Sequence, residues 1–106
     1  MLINRSDIRA KYEQTIDLLG VPATVESVAD GSSVSCIVGF KTTADEELIA
    51  AYGIGVKVVT VKQRDVPVIK KMDRVLVQAD RYTINEANPV YVNDLHVGWR
   101  CVVRGK

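Results

Sequence analysis

The chain has 106 residues, 47% of them hydrophobic, with 14 Lys and Arg against 13 Asp and Glu for a net charge of +1. That length provides for one domain over residues 1–106, large enough to fold without a disulfide framework or a metal. Near-zero charge argues against a general polyanion binder, yet residues 1–53 sum to −4 and residues 54–106 to +5.

No apolar run approaches the roughly 20 residues that cross a bilayer. Met1-Leu2-Ile3-Asn4-Arg5 turns polar before a signal-peptide core forms, so a cytosolic product without a membrane partner is expected. Cys36 and Cys101 lie far apart in apolar runs, and His96 is the single histidine, which leaves no four-ligand zinc pattern. Both thiols are expected to be reduced and in the core, with a disulfide open to them only if their strands are neighbours. Val outnumbers Leu 18 to 6, and Val, Ile and Thr make up 32 residues. Branching at Cβ favours the pleated sheet, so the fold is expected to be mainly β.

The first element is the exception. Ile8, Tyr12, Ile16 and Leu19 recur at helical spacing and predict an amphipathic helix over 7–19, capped by Ser6 or Asp7. Gly20 is expected to end it in the left-handed conformation, and Val21-Pro22 to prevent its continuation. Residues 23–28 and 33–40 alternate around the turn residues 29–32 and predict a hairpin.

Residues 41–55 form an insert with two readings. Thr43-Ala44-Asp45-Glu46 fits a capping box that starts a short helix at about 44–51, with Leu48, Ile49 and Tyr52 on one side. A helix that short is marginal without packing, so the alternative is a mobile loop that orders on a partner.

Residues 56–62 read as a strong strand. Residues 63–73 connect it to a second hairpin, 74–78 and 81–88, turning at Ala79-Asp80; Val68-Ile69 is either part of the connection or a short strand. Asn88-Pro89 and Asn93-Asp94 are turn signals, and 96–103 is the last strand. About six strands with short loops predict a small antiparallel β-barrel over about 23–104, since closure removes exposed edges.

Catalytic signals are weak. Gly53-Ile54-Gly55 lacks a third glycine and precedes a strand, where a phosphate loop needs a helix. Asp45, Glu46 and Glu47 diverge around a helix, and His96 has no nucleophile suggested beside it. No catalytic, cofactor or metal residue is assigned. The remaining feature is basic: Lys57, Lys62, Arg64, Lys70, Lys71, Arg74 and Arg81 against Asp65, Asp73 and Asp80, with Tyr82 the one aromatic among them. Three readings are open: a solvated face, interface charge or a nucleic-acid contact.

The order of elements resembles the small head-completion and head–tail connector proteins of tailed bacteriophages, the lambda-type joining proteins among them. The likeness covers roughly residues 7–104 and rests most on 72–90, where Asp73, Val75, Val77, Tyr82, Ile84 and Pro89 fit a strand–turn–strand–Pro pattern. Ala79-Asp80 departs from the glycine frequent at that turn. The resemblance implies a non-enzymatic subunit of the virion neck, made in the host cytoplasm and monomeric until it assembles into a ring. Its partners would be a portal-side adaptor and a tail terminator or tail completion protein, with genomic DNA passing through the ring. Leu48, Ile49, Tyr52, Arg64, Lys70, Lys71 and Arg74 are then the expected interface residues. The competing expectation is a small β-barrel nucleic-acid-binding module, which needs its basic groups gathered in one groove.

Overall fold

The computed structural model describes residues 5–42, 46–52 and 56–105, with the backbone only at 5, 6, 42, 46, 48 and 52. Six strands form a closed antiparallel barrel: β1 (Val21–Glu26), β2 (Ser33–Thr42), β3 (Lys57–Lys62), β4 (Arg74–Val77), β5 (Asp80–Val92) and β6 (Leu95–Gly105). Their order around the barrel is β1-β2-β3-β6-β5-β4, and β4 pairs with β1 to close it. The fold is therefore mainly β with a helix ahead of the barrel, α1 (Arg5–Leu19), as the valine-rich alternation predicts. Val59, Val61, Val75, Ile84, Cys101 and Val103 point inward and are fully buried.

α1 lies on the outside of the barrel against β2, β3 and β6, but its buried face is rotated from the predicted one. Ile16 is 5% exposed and Glu13 7%, whereas Leu19 is 82% exposed. At 100° per residue, Arg9, Ile16 and Gly20 fall on one line with Tyr12 and Glu13 beside it, and Leu19 swings away from the contact. Gly20 explains the rotation. It is not left-handed; a Cβ there would strike the carbonyl oxygens of Ile16 and Val38 and the Ile37 side chain. Glycine lets the end of the helix touch β2, and the Gly20 amide continues the helical pattern by donating to the Ile16 carbonyl at 2.7 Å. The helix also begins two residues before Asp7, which falls in its first turn instead of capping it.

The second hairpin turns one residue earlier than expected. Val77 pairs with Asp80 across a Gln78-Ala79 loop, and Gln78 takes φ 56°. Asn88-Pro89 is not a turn: β5 runs through both residues, with Pro89 opposite Trp99. β4 pairs only with Asp80–Thr83, so further along β5 has an open edge where proline's missing N–H breaks no ladder. The chain reverses at Asn93-Asp94, whose φ values of 49° and 66° suit a two-residue type I′ turn between Val92 and Leu95.

Residues 63–73 contain no strand. Val66 and Ile69 are buried in the barrel core, and the Trp99 indole donates to the Val66 carbonyl at 3.0 Å. Asp73 is 5% exposed and fastens the connection: its carboxylate accepts from the Val28 amide at 3.1 Å and the Lys70 amide at 2.9 Å. The insert includes a helix, α2 (Glu46–Tyr52), where a helix was one of two readings. The Thr43 end of the capping box lies outside the described residues.

Candidate functional site

The basic run does not form one groove, because its members leave the barrel on different elements. Lys62, at the end of β3, is held by Asp17 of α1 and by Asp65. Burial works to lower its pKa, but those two carboxylates outweigh it and hold the ammonium above its ordinary range. Arg64 reaches Glu13 of α1 at 3.2 Å. The first part of the run thus clamps α1 onto the connection.

Lys70 and Lys71 are exposed at the other end of the connection. Here the β1–β2 turn and residues 66–70 enclose a surface depression of about 330 Å³. Val34, Val66, Pro67 and Val68 supply its apolar lining, with Asp30 and Lys70 also in the wall. Val68 is 62% exposed and Val34 37%, although both are β-branched residues of the kind that fills the core. The turn is fixed from within: Asp30 accepts from the amide and hydroxyl of Ser32, and these bonds hold its carboxyl below the usual range. Asp73 ties the depression's two walls together through the Val28 and Lys70 amides.

Arg74 points out from β4 onto a different surface, beside Arg81 and Arg104. Ile49 is half-buried on α2, and the side chains of Leu48 and Tyr52 lie outside those described. Of the expected interface residues whose side chains are described, only Lys70 lines the apolar depression. Val34, Pro67 and Val68 were missed, since apolar residues in a strand and its connection read as core from sequence.

The reactive groups have structural surroundings. Cys36 and Cys101 are free, and both pack in or against the core cluster. Burial raises the thiol of Cys36 to about 11, with Asp65 adding to the effect, and that of Cys101 to about 12, with Asp73 adding. Neither is a nucleophilic thiolate near neutral pH. The His96 ring meets the Gly98 carbonyl at 2.9 Å and stands edge-on to Trp99 at 4.9 Å. Among the described residues, no group of three or more His, Cys, Asp or Glu is placed to hold a metal ion. No described helix is long and apolar enough to cross a membrane.

In comparisons with protein-family models and with curated proteins, the chain matches none. Fold and surface together define a small closed antiparallel β-barrel with an external helix and an apolar depression at its 63–73 connection.

Proposed function

We propose that the chain is a structural joining subunit of a tailed-phage neck, acting through protein–protein interfaces and catalysing no reaction. The observation that carries this reading is the apolar depression beside Lys70: exposed Val34 and Val68 in a concave surface braced by a buried carboxylate. Contiguous exposed apolar surface with polar groups beside it is the mark of a protein contact. The chain's helix-then-barrel order, with an insert between β2 and β3, also accords with the resemblance drawn from sequence.

A second exposed apolar pair, Leu18 and Leu19, sits on α1 outside the lining of the depression, 75% and 82% exposed. One copy thus presents two unlike apolar patches. Contact between unlike patches is heterologous, and repeated through a rotation that returns on itself it forms a ring, the arrangement this reading requires. In this reading the free chain is monomeric and enters the ring when the portal-side adaptor and the tail-side protein template it.

The test is the composition of particles from the phage or prophage that encodes it. Quantitative mass spectrometry of purified virions is expected to find the chain at a few copies per particle. Virions that lack it overturn the reading.

A further inference from the structure

The outer face of β4, β5 and β6 carries a cluster unlike the depression. Arg74 pairs in register with Thr83, and Thr83 with Arg104, so the three form one row across three strands. Two strand spacings put the arginine backbones about 10 Å apart with the threonine midway. Arg81 lies two residues along from Thr83, on the same side of β5. The alternating partners Val75, Ile84 and Val103 are fully buried, which sets these side chains on the outside. Arg74, Arg81, Thr83, Asn85, Arg104 and Gly105 enclose a depression of about 300 Å³.

None of the three arginines makes an ion pair with a described residue. Glu26 stands across from Arg74 on β1, yet no ion pair joins them, and its Oε1 is buried without a hydrogen-bond partner. Three guanidinium groups without an ion-pair partner among the described residues repel one another, so an anion that bridges them is favoured. The chain's near-neutral total conceals this local excess.

From this geometry we infer that the Arg74–Arg81–Arg104 face binds the phosphate groups of a nucleic-acid backbone. The lining decides against a protein occupant. Its described side chains are arginine, threonine and asparagine, and none of them is the large apolar or aromatic anchor on which protein interfaces depend. Arginine, threonine, asparagine and backbone groups are the types that contact phosphate and sugar. Among the described residues no aromatic lines the patch to stack on a base, so binding is to the backbone and independent of sequence. The inference does not rest on the joining role, and either can fail without the other.

The test is fluorescence anisotropy of the full chain with a labelled DNA duplex across a salt series. Expected are a Kd in the roughly 10⁻⁴–10⁻⁶ M range and a slope of log K against log salt that flattens by about 0.9 for each arginine replaced. R74Q/R81Q/R104Q is the principal variant, with single R104Q as a milder one; two-dimensional NMR establishes that each is folded. Competition by inorganic phosphate and by polyglutamate separates the sources. Wild-type binding that lacks salt dependence, or a folded triple variant with an unchanged slope, overturns the inference. So does phosphate binding as tightly as duplex, which would mark a small-anion site, or polyglutamate binding more tightly, which would mark an acidic protein segment.

Discussion

The Tyr12 hydroxyl stands over Gly98, in the space that any side chain at that position would occupy. A Cβ on Gly98 would also strike the Val61 carbonyl oxygen on the neighbouring strand. Contact of helix with barrel is thus specified at two glycines, Gly20 and Gly98, rather than by a wide apolar stripe. Gly98→Ala is expected to cost about 1–3 kcal/mol in urea unfolding, the range for overpacking. Adding Tyr12→Leu recovers part of the loss, because the Val61 carbonyl remains. Full recovery would show that the helix sets the constraint and the β3 backbone does not.

Asp73 is the second point of control. Asp73→Ala leaves the part-buried Val28 and Lys70 amides without their acceptor and is expected to cost about 1–3 kcal/mol in all, since water reaches part of both sites. Asp73→Asn keeps one acceptor oxygen and is expected to lose about half as much. The measurement is equilibrium denaturation with amide hydrogen exchange at Val28 and Lys70. Unchanged exchange at both amides in Asp73→Ala would contradict the bonds described.

Glu13 is buried on the helix with Oε2 lacking a hydrogen-bond partner, and its ion-pair partner Arg64 is 66% exposed in its side chain. A half-wet pair returns little of the cost of burying a carboxylate. Glu13→Leu is expected to unfold within about 1 kcal/mol of wild type or to be more stable. A loss of several kcal/mol in urea titration would contradict this.

Stability is expected to fall as pH rises above the ordinary thiol pKa of 9.0. Burial raises Cys36 to about 11 and Cys101 to about 12, so below pH 9 both thiols keep their protons whether the chain is folded or not. Above it the unfolded chain releases protons that the folded chain retains, and unfolding gains. Tyr12, raised by burial from 10.0 to about 12 with Cys101 adding, acts in the same direction at higher pH. Thermal melts across this range are expected to show a falling Tm that Cys36→Ala/Cys101→Val flattens. An identical fall in that variant would place the effect elsewhere.

Most of the barrel was legible because Val, Ile and Thr alternate over long stretches, and alternation with short turns admits few architectures. What was not legible depended on tertiary contact. Leu19 reads as core by its spacing, but close approach at Gly20 turns the helix so that the polar Glu13 is buried instead. Asn88-Pro89 reads as a turn, and only the absence of a neighbouring strand on that edge lets β5 continue through it. Arg64 reads as interface charge and Lys62 as part of a basic run with three open readings, and nothing in the sequence shows that both pair with carboxylates of α1. The Arg74–Thr83 pair follows from the hairpin register once the turn is placed at Gln78-Ala79. Arg104 joins them across a β5–β6 ladder with two register shifts, which the sequence does not announce.

The central claim, that this barrel joins head to tail through its apolar depression, meets its most direct measurement in a completion assay. A lysate from a strain deleted for the gene is expected to hold filled heads and separate tails, and purified wild-type chain is expected to convert them to infectious particles. Val68→Asp/Lys70→Glu, folded by NMR, is expected to reduce that conversion by at least about tenfold. Wild-type titre from this variant, or infectious particles from the deleted strain without added protein, would contradict the claim.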